Sequence, residues 1–177
     1  MGIGVVLCAL SPTRQDLLEK EPELLEEVLE SRKEVAIPGL VDVGNAWDAL
    51  DKILAGPKGE GVLADAVLGR SGKPFGRRGN FGKPKLLEAA RVKEVAAALD
   101  VLPDDFVARR YASLAGQNVQ GDWGQEVAAD DDPPYLKKKV QETREREMTE
   151  LGALFGRLRE AYRNAAKSGH AMLVSVG

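Results

Sequence analysis

Apolar residues form a short run at each end of the chain and helical stripes between them. Ile3 to Leu10 is continuously apolar with two valines, and Ala171 to Val176 is apolar again. Runs this short and this solid predict strands buried on both faces. Between them the spacing turns helical. Ser11 followed by Pro12 reads as an N-cap with proline in the first turn. That helix carries Leu17 and Leu18, and Pro22 stops it and opens the next. In the second helix Leu24, Leu25, Val28 and Leu29 make one stripe, with Glu23, Glu26, Glu27 and Glu30 opposite.

The stretch from Ile37 to Gly56 carries the sharpest local signals. Glu34 to Ile37 reads as a short strand broken by Pro38 and Gly39. Asn45 reads as an N-cap, with Asp48 three residues on as an acidic capping box. Trp47, Leu50 and Leu54 share a face, and Gly56 with Pro57 ends the helix. Leu63, Ala64, Val67 and Leu68 predict a short helix closed by Gly69. Lys85 to Ala89 reads as a strand, Arg91 to Leu99 as a helix, and Leu102-Pro103-Asp104 restarts a helix to about Tyr111. Ser113 to Pro134 has no period, and Trp123 within it is expected to pin the segment to the core. Asp132 is expected to cap a long helix from about Tyr135 to Ser168, with Pro133 in its first turn. Its first part, Lys137 to Glu147, is charged, so it projects or bends. Its second part presents Met148, Leu151, Leu154, Phe155, Leu158 and Tyr162 to the sheet. Gly169 reads as its C-cap.

Strands at both ends and helices between them, without strict alternation, point to an α+β fold. The expected architecture is a small mixed sheet that includes the N- and C-terminal strands and is packed with several helices. At 177 residues one domain spanning 1–177 is the expectation. A net charge of −3 gives no global attraction to nucleic acid or anionic lipid. The lone Cys8 sits in an apolar run and reads as a buried, inert thiol. The apolar N-terminal run lacks a basic lead and stops after ten residues, unlike a signal peptide. No run approaches membrane-spanning length. A cytoplasmic protein without metal or cofactor is the expectation, and one histidine with one cysteine cannot build a His/Cys zinc site.

A series of segments in order resembles the YfbM-like family, a group of small bacterial proteins of unknown function. They are the opening strand ending Ala9-Leu10-Ser11, Val41-Asp42 with Asn45 to Leu50, and Leu63 to Gly69. Phe81 to Leu87 leading into Val92-Lys93-Glu94-Val95 follows, then the Trp123 segment and the Ala165 to Gly169 turn. Two positions depart from the family pattern: Asn45 stands where a lysine is usual, and Val119 to Asp122 replaces an aromatic-proline pair. The resemblance implies a single α+β domain of the bacterial cytoplasm. It supplies no activity and no catalytic residues.

Candidate chemistry is sparse. Gly69-Arg70-Ser71-Gly72-Lys73 fails the phosphate-loop pattern, since Val67 and Pro74 occupy required positions. The wider loop 69–85 holds five glycines, six basic residues, two phenylalanines and no acid. Arg77 and Arg78 suit a phosphate or carboxylate, and Phe75 and Phe81 suit a base, so an anion or nucleic-acid contact is one reading. The plainer reading is a solvated loop with its aromatics in the core. Asp122, Glu126 and Asp130 to Asp132 do not follow calcium-loop spacing. Trp47 and Trp123 with Asp42, Asp48 and Asp51 are the remaining candidate pocket. Carboxylates converging there would suit a small hydrolase or transferase. Without a recognisable catalytic set, the leading expectation is a non-enzymatic module that binds a protein or small ligand, through Trp47, Asp42, Asp48, Trp123, Arg77 and Arg78.

Overall fold

A computed structural model describes residues 3–30, 39–77 and 81–177. The strand expected over Glu34 to Ile37 and the candidate Arg78 lie outside these residues. Strand β1 (Val5–Leu10) leads into helices α1 (Pro12–Lys20) and α2 (Glu23–Glu30). Strand β2 (Leu40–Gly44) and helix α3 (Trp47–Ala55) follow, then a short turn of 3-10 helix and α4 (Asp65–Leu68). Strands β3 (Lys73–Pro74) and β4 (Lys85–Leu87) precede α5 (Ala89–Asp100) and α6 (Phe106–Tyr111). The long α7 (Pro134–Ser168) and β5 (Ala171–Val176) complete the chain.

The strands form one sheet in the order β2-β1-β5-β4-β3, so the two end strands are central neighbours. Every pairing is antiparallel, which corrects the expected mixed sheet. The cause lies in the connections: the helical segments between β1 and β2, and between β4 and β5, each return the chain to the end it left, whereas a crossover to the far end would give parallel neighbours.

The solid apolar runs are explained by cover on both faces. Val5 and Leu7 of β1, with Met172 and Val174 of β5, join the main core beneath α3, α5 and α7. The alternate residues Cys8, Leu10, Ala171 and Leu173 join a smaller cluster with Leu18, Leu25 and Phe75. That cluster pushes the Cys8 thiol above its ordinary range by burial, which Arg14 only partly offsets.

Several local signals are realised as read. The Ser11 hydroxyl accepts the Arg14 amide at 3.3 Å, and Pro12 occupies the first turn. Gly169 adopts φ +68° and caps α7. Gly69 ends α4 at φ +53°, where a Cβ would stand 3.0 Å from a Val174 methyl. A side chain there would be strained and crowded at once.

Two caps differ. Asn45 does not cap α3; Ala46 holds that position without a side-chain bond. Asp42 takes the turn instead, its carboxylate accepting the Gly44 amide at 2.8 Å. At α7 the cap position is Pro133, and Asp132 turns back to the Ala129 amide at 2.7 Å. At α7 a nearer turn amide captures the acid before the helix begins.

Buried charge ties the helices together. Asp65, only 1% exposed, accepts the Ser71 amide at 2.7 Å, the Ser71 hydroxyl at 2.6 Å and Arg91 Nε at 2.7 Å. Burial alone would raise its pKa, but these donors together bring it below the ordinary range. Asp51 is also buried and is clasped by Arg70; there burial outweighs the arginine and the pKa is raised. Tyr162 donates its hydroxyl to the Asp65 carbonyl at 3.2 Å, joining α7 to the same hub.

Candidate functional site

The sequence-derived candidates meet at one corner of the sheet and separate there. β2 is an edge strand, and its end turns into α3 beside the flank of α7. An open trough of about 510 Å³ lies at this corner. Asp42 and Asn45 form one wall, Glu150, Leu154 and Arg157 of α7 form the other, and Trp123 lines it between them.

Trp123 is held by α7. Glu147 accepts the Gly124 amide at 2.8 Å and the Tyr111 hydroxyl at 2.6 Å on one carboxylate oxygen. Burial and this carboxylate together push the Tyr111 hydroxyl well above its ordinary range. The Arg144 guanidinium lies 5.6 Å from the Tyr111 ring centre. Gly124, at φ +73°, passes so close to Leu114 that a Cβ would be 2.6 Å from the leucine Cβ. The irregular segment is thus clamped at Gly124, directly after its tryptophan. Trp123 is 8% exposed, and its indole N–H has no hydrogen-bond partner among the described residues.

Trp47 faces elsewhere. It is half-buried against the edge of the main core, and its indole N–H donates to the Ile3 carbonyl at 3.1 Å. Asp48 is engaged by Lys52 at 2.5 Å and by the Gln120 amide at 2.8 Å. Trp47 and Asp48 therefore fasten the start of β1 and the loop at Gln120 to α3, whereas Asp42 and Trp123 line the trough. Asp51 lies in the buried hub described above.

The basic loop divides in the same way. Arg77 pairs with Glu23 of α2 at 2.8 Å, Arg70 with Asp51, and Lys73 with Glu88. Phe75 is buried and Phe81 is exposed. Most of the loop's described charge is thus matched by nearby carboxylates. Among the described residues no three His, Cys, Asp or Glu side chains are grouped to hold a metal ion. No helix among them is long and apolar enough to cross a membrane.

Reasoning from sequence missed the residues that build this corner: Glu150 and Arg157 of the trough, and Glu147 beneath it. All three lie in a charged or amphipathic helix where a solvated face is the default. It also missed β2 itself, although Leu40-Val41-Asp42-Val43 alternates as an edge strand should.

An antiparallel sheet with helices on both faces and an open trough at one edge defines the class: a small α+β protein. The chain belongs to a family described as a domain of unknown function (DUF1877), whose model matches residues 1–175. Among solved structures it is similar to the protein of unknown function YfbM from Escherichia coli. The match has a TM-score of 0.57 and 15% identity, and covers 98% of this chain and 99% of that one. At that identity the likeness establishes the fold, and the YfbM-like resemblance read from the sequence is borne out. No curated protein matches this chain.

Proposed function

We propose that the protein is a non-enzymatic binding module that takes an extended peptide along the free edge of β2 and into the Trp123 trough. In this reading the chain is one domain working in the bacterial cytoplasm.

The observation that supports it is the state of the β2 edge. Ala9 donates to the Gly39 carbonyl, and Leu7 opposes Val41 in the same register, so these residues face β1. By the alternation of an antiparallel ladder, the amides and carbonyls of Leu40 and Asp42 face outward. They have no partner among the described residues. A strand added there gains main-chain hydrogen bonds, and pockets beside it select its side chains. The trough carries two acids, Asp42 and Glu150, against one cation, Arg157. That balance favours a peptide with a basic side chain.

The enzyme reading loses two of its three carboxylates, because Asp48 and Asp51 are held by Lys52 and Arg70 and only Asp42 lines the trough. The anion reading through loop 69–85 loses most of its free charge in the same manner.

The test is selection of a random twelve-residue display library on the protein, followed by titration of an enriched peptide. Asp42→Pro removes one outward amide and leaves the inward-facing Val41 in place, a substitution that edge strands tolerate. Enriched peptides rich in Lys or Arg are expected, with affinity falling at least about tenfold in Asp42→Pro. No enrichment, equal affinity in the variant, or an edge already closed by a second copy in solution would each reject the reading.

A further inference from the structure

We infer that the cleft between the C-terminal end of α3 and α6 is a second binding site, one for a small organic anion with an apolar body. This site is separate from the β2 trough and does not depend on it. The cleft holds about 510 Å³, within the range of small-molecule sites. Leu63, Leu102 and Phe106 supply apolar walls, and Lys52, Arg110 and Gln117 supply polar groups. No carboxylate lines it.

The charge that remains uncompensated is Arg110. Lys52 is already paired with Asp48. The Arg110 guanidinium lies 5.6 Å from the Phe106 ring centre and has no carboxylate partner among the described residues. Both helices end at the cleft, and their terminal carbonyls would oppose an anion if left bare. They are not bare. The Lys52 carbonyl accepts the Gly56 amide at 3.1 Å, and the Arg110 carbonyl accepts the Ser113 hydroxyl at 2.6 Å. The Gln117 side-chain amide covers the Ser113 carbonyl. A guanidinium fork over an aromatic floor, with the Lys52, Arg110 and Ser113 carbonyls already hydrogen-bonded, fits a carboxylate or sulfonate on a flat or branched apolar body. The acid group pairs with Arg110, and the body lies on Phe106, Leu102 and Leu63.

The experiment uses two fluorescent probes of the same apolar type. One is 1-anilinonaphthalene-8-sulfonate; the other is the uncharged N-phenyl-1-naphthylamine. Each is titrated into wild-type protein and Arg110→Gln at low salt. Arg110 is exposed, so the variant is expected to fold, and its melting temperature is recorded beside the titration. Saturable one-site binding of the sulfonate is expected in the wild type. Arg110→Gln should weaken it at least tenfold and leave the uncharged probe unchanged, and Arg110→Lys should restore part of the loss. The inference is overturned if the wild type does not saturate. It is equally overturned if Arg110→Gln binds the sulfonate as well as the wild type, since the probe then sits elsewhere, such as the cavity of about 230 Å³ lined by Leu10, Leu17 and Leu18 at α1.

Discussion

Asp65→Ala is expected to lower the free energy of unfolding by about 3 kcal/mol at pH 7. Its carboxylate accepts the Ser71 amide and hydroxyl, and it holds Arg91 Nε. Alanine leaves these donors buried or half-buried without it. The full penalty of an orphaned buried charge is not expected, because Arg91 is 30% exposed and keeps Glu94 at 2.5 Å. The pH dependence follows from the lowered pKa of Asp65. A carboxyl whose folded pKa is depressed stabilises the protein above its unfolded value, about 3.9, and loses that contribution as pH falls towards the folded value. Urea titrations of wild type and Asp65→Ala should therefore differ fully at pH 7 and converge below about pH 4. Asp51 is the internal contrast. Its pKa is raised, so its ionisation costs stability as pH rises, and Asp51→Asn should show the opposite trend. Parallel curves for both variants would contradict this assignment of the hub.

Phe155→Ala is expected to cost about 3–5 kcal/mol, the range for an aromatic deleted from a tight core. Phe155 is 1% exposed and meets the Phe106 ring at 6.3 Å between centres. The Arg159 guanidinium lies 4.4 Å from its ring centre and pairs with Asp104, so α6 and the turn before it are both tied to α7 at this ring. For a chain of this size the loss corresponds to a fall of roughly 10 °C in Tm. Calorimetry checks it. A fall of 2 °C or less would mean that α7 is held chiefly by its charged contacts with α5 and not by this face.

The parts of the fold legible in the sequence are those where one signal serves one role. β1 is apolar at every position, and β5 at all but Ser175, because both faces are covered. The second half of α7 repeats its stripe over several turns, and Gly169 closes it. Signals with two possible uses mislead. Asn45 and Asp132 are good cap residues, yet α3 begins one residue after Asn45's neighbour Ala46, and Asp132 bonds the Ala129 amide before α7 begins. β2 is short and follows Gly39, so its alternation was overshadowed by the helix signals after it. The buried acids could not be read at all. Asp65 and Arg91 are 26 residues apart, and Asp51 and Arg70 are 19 apart, so only the folded chain brings them together. The same limit applies to the trough. Asp42 and Trp123 were named from the sequence, but Glu150 and Arg157 reach them only because α7 crosses the sheet beside β2.

The two tryptophans, equivalent as sequence signals, have different roles. Trp47 spends its N–H on the Ile3 carbonyl and secures the start of β1. Trp123 is clamped by Glu147 through Gly124 and faces the trough with its N–H unpartnered.

Hydrogen exchange at the β2 edge tests the binding account most directly. Amide protection would be measured by mass spectrometry on the full chain, with and without a peptide enriched by display. The account predicts that protection rises at Leu40 and Asp42 and around Trp123, with little change in α5. Protection that rises in loop 69–85 or at the α3–α6 cleft, while the β2 edge exchanges as before, would contradict it.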